Sequence, residues 1–169
     1  MRRPKEGEFN EFYSHYIGLT RGADLLQNIQ DSGDRLINIL NEIGAEKGNY
    51  SYEKGKWTVK QLLRHIIDAD FVFLYRLVAI ARKDKSHLPG YEQNDWAENA
   101  SVENIDLTEL MEEFTLLRRL IIRAVKGLRE EDLNEIGTAS DSPTSALALG
   151  FMIAGHSFHH CNILQERYL

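Results

Sequence analysis

Proline occurs at only three positions, Pro4, Pro89 and Pro143, and the long stretches between them carry apolar residues at helical spacing. A helix interior rejects proline because the ring removes a backbone N–H and clashes with the preceding turn. Apolar residues recurring every three or four positions give a helix one buried stripe. The spacing predicts a first helix over residues 24–43, with Leu25, Leu26, Ile29, Leu36, Ile37 and Leu40 on the stripe. Gly44 and Gly48 break it, and residues 44–56 read as a loop. Thr58 followed by Gln61 is a capping box that starts a second helix, with Trp57 and Leu62 placed as a hydrophobic staple. That helix carries Leu63, Ile66, Ile67, Phe71, Leu74 and Leu77 and ends near Arg82. A third begins at Asp106 or Thr108, where Asp106 and Glu109 have capping spacing, and carries Leu110, Phe114, Leu117, Leu120 and Ile121 to about Gly127. Ser142 and Pro143 suit the N-cap and first position of a last helix, with a start one or two residues later equally open. Residues 86–104 form a long irregular connection, such as a parallel pair of neighbouring helices requires. With no strand-like alternation in view, the chain is expected to be an all-α, single-domain four-helix bundle over 1–169, with the crossover between helices two and three.

Composition narrows the class. With 169 residues and 43% hydrophobic, the chain can build a full core without staples. One cysteine rules out an internal disulfide and fits a reducing compartment. No run approaches the roughly 18 apolar residues of a membrane span. The opening "MRRPKEGEFNEF" turns acidic too early to read as a signal peptide. A cytoplasmic protein without membrane association is expected. Net charge is −6, and the basic runs are short and mixed with acids, so no nucleic-acid partner is expected. Tyr91 and Trp96 in the crossover could pack on a second subunit, making a homodimer possible, or on their own bundle.

The chemistry gathers in "GHSFHHCNIL", residues 155–164. On a helical wheel Leu149, Ile153, His156, His160 and Ile163 follow steps of four and three, the spacing of an inward seam. His156 and His160 therefore replace apolar residues one turn apart, and imidazoles at i and i+4 can chelate one ion. The other reading is a hydrogen-bonded core pair without metal. His159 lies on the more polar row of Met152, Gly155, Asn162 and Glu166 and belongs to the rim. The best candidate for a third ligand is His65, which shares a row with Leu62, Ala69 and Val72; Asp68 could accept from its other ring nitrogen. Three histidines with open positions resemble a catalytic rather than a structural site. Zinc, nickel and iron all suit imidazole, so one divalent ion is expected without a choice among them. His15 and His87 read as surface groups in irregular segments. Cys161 points about 100° away from His160 and reads as a packed thiol. No catalytic residue is assigned; His159 and Asp68 are the candidate bases.

Three segments, "KWTVKQLLRHIIDAD", "LPGYEQNDW" and "AGHSFHHCNILQERYL", together resemble the DinB-like superfamily of metal-binding four-helix bundles, from about Tyr50 to the C-terminus. The resemblance implies an up-up-down-down bundle with one divalent ion held by His65, His156 and His160. It matches Arg76 and Arg118 to recurring arginines with a structural role. It implies a metal-dependent hydrolase acting on a small molecule. The alternatives are a transferase or isomerase using a low-molecular-weight thiol, and a non-catalytic metal- or small-molecule-binding module.

Overall fold

Three of the four long helices start where the sequence supplies a side-chain acceptor for the free N–H groups, in a computed structural model that describes residues 2–169. A short helix α1 spans Ser14–Leu19. Asp24 caps α2, Leu25–Ile43, by accepting from the Gln27 N–H. Thr58 and Gln61 form the full capping box of α3, Val59–Ala81. The short α4, Gln93–Asn99, lies within the crossover. Asp106 precedes α5, Leu107–Lys126, but no side chain caps that start, so the expected Asp106–Glu109 box does not form. The short α6, Glu130–Leu133, follows. Ser145 caps α7, Ala146–Arg167.

Two sequence expectations are corrected here. The last helix has its N-cap at Ser145, three residues beyond Ser142, and the fold is mostly helical rather than strictly all-α. Strand β1, His87–Leu88, pairs in parallel with β2, Ile136–Ala139, which pairs antiparallel with β3, Ser142–Ser145. Ser140 and Asp141 turn the hairpin with φ of 49° and 61°, the left-handed pair that matches strand twist. Strands this short leave no alternation to read, and Pro143, which would have opened the helix, sits in β3 opposite Thr138.

Contacts fix the helix directions. Leu25 abuts Gly150, and Arg35 donates to Asn162 at 2.9 Å, so α2 and α7 run the same way. The Tyr168 hydroxyl donates to the Trp57 carbonyl at 2.7 Å while His65 meets His156, so α3 opposes α7. Arg64 pairs with Glu113 and Arg118 with Asp70, so α3 and α5 run together. The order is up-down-down-up, which corrects the up-up-down-down expectation. That expectation needs two long crossovers. This chain has one, residues 82–106, which returns along the bundle between the parallel pair α3 and α5.

The core fills with Leu25, Ile29, Leu36, Leu63, Phe114 and Phe151, all fully buried. Phe71 and Leu120, expected on the apolar stripes, face outward instead. Among the described residues no helix is long and apolar enough to cross a membrane.

Candidate metal centre

The seam of α7 faces inward as its spacing requires. Leu149, Ile153, His156 and His160 are all buried, and His65 is buried on α3 opposite them. His156 Nε2 lies 3.1 Å from His65 Nε2 and 3.0 Å from His160 Nε2. Donor atoms of the three residues lie within 4.8 Å of one another. Three nitrogens bound at about 2.1 Å around one tetrahedral ion stand roughly 3.4 Å apart. The two distances from His156 fall within a few tenths of an ångström of that spacing.

The donor set suits a cation. A neutral imidazole carries one N–H and one lone pair. Hydrogen bonding can satisfy three converging Nε2 atoms only pairwise, whereas one cation satisfies all three lone pairs. Burial keeps the rings neutral: the His65 pKa falls to about 4 through desolvation, with His159 adding to the effect. His156 and His160 are pushed well below the usual range, again mainly by burial and then by the neighbouring histidines.

The surroundings differ from the sequence expectation. Asp68 does not reach His65; it sits 3.9 Å from Arg64 on the wall of another groove, and burial raises its pKa. The Nδ1 atoms of His156 and His160 are buried without a hydrogen-bond partner among the described residues. Rings rather than carboxylates hold the imidazoles in place. Trp57 lies 4.8 Å from His65 between ring centroids, and Tyr16 and Phe73 lie 5.4 and 6.0 Å from His156. Tyr16 reaches His156 because α1 crosses α7 at Gly155, where a Cβ would lie 2.1 Å from the Tyr16 carbonyl oxygen.

His159 is half-buried and packs against Tyr16 and His15, outside the ligand group. His15 and His87 are exposed, although on α1 and β1 rather than in irregular chain. Cys161 is fully buried, and burial raises its thiol pKa to about 11.

A cavity of about 570 Å³ opens beside the trio, with His156 in its wall. Tyr13, Tyr16, Phe73, Arg76, Tyr91 and Ser140 contribute to the lining. Sequence reasoning missed Tyr13, Tyr16 and Ser140, because α1 and the hairpin are too short to show a period. Phe73 was also passed over, and Arg76 was given only a structural role by resemblance, although both continue the α3 row of His65 and Ala69 at helical steps.

The sequence profile of the DinB superfamily matches residues 28–164. The chain belongs to this superfamily. Relatives in Bacillus cereus (strain AH820) and Bacillus anthracis (strain A0248) bear the name "Putative metal-dependent hydrolase"; each is 25% identical over 138 residues, covering 80% of this chain and 78% of the relative. An Oceanobacillus iheyensis protein of the same name is 28% identical over 72 residues, covering 43% of this chain and 42% of its own. YfiT from Bacillus subtilis, described as "a probable metal-dependent hydrolase with an unusual four-helix bundle topology", superposes with a TM-score of 0.75 at 16% identity, covering 97% of this chain and 90% of YfiT. That likeness establishes the fold: this DinB-superfamily chain shares the YfiT bundle.

Proposed function

We propose that this chain is a metal-dependent hydrolase in which His65, His156 and His160 hold one divalent ion. The observation that carries the reading is the wall shared by the histidine trio and the cavity, with His156 belonging to both. A volume of about 570 Å³ lies within the roughly 300–1,000 Å³ typical of small-molecule sites. The names of the relatives suit the same chemistry.

A divalent ion at this place lowers the pKa of water and polarises a substrate oxygen. The protein's own contribution is positional. Burial keeps all three imidazoles neutral, the form in which they can ligate. Tyr16 and Phe73 pack edge-on against His156, restricting its ring and narrowing the approach for bulk water. Neither candidate base lines the cavity: Asp68 turns to Arg64, and His159 packs on the outer side of Tyr16. Glu92 is the one carboxylate in the lining among the described residues, and it is exposed at the rim.

The test is metal analysis of tag-free protein followed by a panel of small esters, amides and thioesters. The expected result is one divalent ion per chain, with hydrolysis that disappears on chelation, returns on reloading, and is absent in His65→Ala. Turnover that requires an added low-molecular-weight thiol, with no hydrolysis of any panel member, would replace the hydrolase reading with a transferase. The buried Cys161 would not supply that thiol.

A further inference from the structure

Arg76 is only 3% exposed, yet among the described residues no carboxylate pairs with it. A buried cation is ordinarily paired, because removing it from water is expensive. Arg118, at 5% exposure in the same bundle, follows that rule with Asp70 at 2.7 Å. Arg76 instead donates through Nη2 to two neutral acceptors, the Pro89 carbonyl and, at 3.1 Å, the Ser140 hydroxyl. These bonds leave its Nε and Nη1 donors without a partner among the described residues, on a side chain that lines the cavity. Ser140 accepts from Arg76 and so keeps its own hydroxyl hydrogen to donate. It is held in place by its backbone N–H, which donates to the Leu88 carbonyl at 2.9 Å. The crossover and the hairpin thus meet at a guanidinium that keeps its charge and its Nε–H and Nη1–H donors, each on its own edge and each able to give a single charge-assisted hydrogen bond to a carboxylate or phosphate.

Between this point and the histidines the wall is aromatic. Phe73 stands 6.0 Å from His156 and 6.1 Å from Tyr13 between ring centroids. Arg76 lies about one helical turn beyond Phe73, roughly 5 Å along the axis. We infer that the cavity takes a small organic anion: its carboxylate or phosphate is held by Arg76 and the Ser140 hydroxyl, and an apolar body runs along Phe73 toward His156. Placement of a scissile bond beside His156 rests on the hydrolase reading; the anion anchor does not. Glu92 at the rim is the opposing charge, and its exposure leaves it largely solvated.

Isothermal titration of 3-phenylpropionate, phenyl phosphate and the neutral 3-phenylpropanamide tests the anchor, using chelated and metal-loaded protein side by side. Binding of an anion by the chelated protein cannot come from a metal, so failure of the metal reading leaves this arm intact. The chelated protein should bind at least one of the two anions about tenfold or more tightly than the amide. The preferred anion identifies the head group. Arg76→Met should abolish the preference while leaving amide binding unchanged, and Arg76→Lys should retain part of it. Equal affinity for the amide and both anions, no anion binding, or a preference that survives Arg76→Met would each overturn the inference. Arg76 also ties two loops together, so circular dichroism and a thermal melt must accompany the variant. Should Arg76→Met fail to fold, Glu92→Gln leaves Arg76 and its loop contacts untouched. It should tighten anion binding about twofold, the scale of an exposed charge, without affecting the amide; an unchanged affinity would overturn the inference as well.

Discussion

Two buried polar clusters draw on the same two helices, α3 and α7, and they are built oppositely. In one, Arg118 on α5 ties the bundle together. It pairs with Asp70 of α3 at 2.7 Å, donates to Ser32 Oγ and the Ile29 carbonyl of α2, and reaches Ser157 and the Ile153 carbonyl of α7. In the other, His65, His156 and His160 turn their Nε2 atoms toward each other beside a cavity, and two of their back nitrogens have no partner among the described residues. Ser157 and His156 are adjacent in sequence yet belong to different clusters, because successive helix residues point about 100° apart. A polar group satisfied wholly within the protein holds the fold together. Lone pairs that converge beside a cavity are arranged for something that arrives from outside.

The sharpest way to break this comparison is to remove one member from each cluster and measure unfolding in urea. Arg118→Ala leaves the Asp70 carboxyl, which has no exposure, without its partner. Losing one partner of a buried pair costs about 3–5 kcal/mol. Its pKa already stands at about 6, raised by burial against the pull of Arg118, and the variant should push it higher still. His156→Gln is the counterpart. It removes a neutral ring and roughly conserves volume, so the metal-free protein should lose only about 1 kcal/mol. The same change should abolish the stabilisation that metal gives, about 2.7 kcal/mol at a hundredfold excess over Kd. Equal destabilisation by the two variants in the absence of metal would make the trio a second structural tie.

The reasons one cluster could be read from sequence and the other only in part are physical. His156, His160 and His65 interrupt long apolar rows, and a polar residue on a buried stripe is visible to periodicity alone. The capping box at Thr58 was equally legible, because it acts within a single turn. Helix direction was not, since a stripe reads the same either way; the single crossover would have argued against up-up-down-down had loops been counted against directions. The hairpin escaped because its strands run only four residues each, and Ser–Pro also suits a helix start. The Arg118 ties were hidden for another reason. Ser32, Asp70 and Ser157 are ordinary helix residues until three-dimensional packing brings them to one guanidinium.

Acidification separates the clusters next. An unshifted imidazole titrates near pH 6.5, and on that basis metal would be released around pH 6–7. In the folded metal-free site His65 takes a proton only near pH 4, and His156 and His160 are also shifted well down. The sign follows directly. Protons compete with the ion only when they bind the folded site, so competition begins near the depressed value rather than the ordinary one. The melting-temperature difference between metal-loaded and metal-free protein should therefore hold from pH 7.5 to about pH 5 and close toward pH 4. Taking the difference cancels Asp70, whose raised pKa acts on both forms. Closure at pH 6–7 would mean that the imidazoles are solvated and the trio is open.

A smaller effect is expected at Gly155, where α1 crosses α7. A methyl group there would lie 2.1 Å from the Tyr16 carbonyl oxygen, so the α1 backbone has to move. Overpacking of this kind costs about 1–3 kcal/mol. Gly155→Ala should also weaken ligand binding in the cavity, because Tyr16 and Tyr13 line it from the α1 side. Metal content should survive, since none of the three histidines lies on α1. Loss of metal with full retention of cavity binding would reverse the roles assigned to the two walls.

The smallest change should come from His159, and its smallness is what makes it informative. This residue adjoins His160 in sequence, and its ring centroid lies only 5.0 Å from that of His160. By proximity alone it would pass for a ligand. Its row places it on the outer side of α7, half-buried against His15 and Tyr16 at 5.5 and 5.1 Å between centroids. His159→Ala should therefore keep one ion per chain and cost less than about 1 kcal/mol, in line with a partly exposed ring. The positive form of His159 opposes protonation of His65, so the variant should also raise the pH at which metal is released, by a small amount. A large loss of metal would mean that the helical row is a poorer guide than sequence adjacency, and that the trio has the wrong third member.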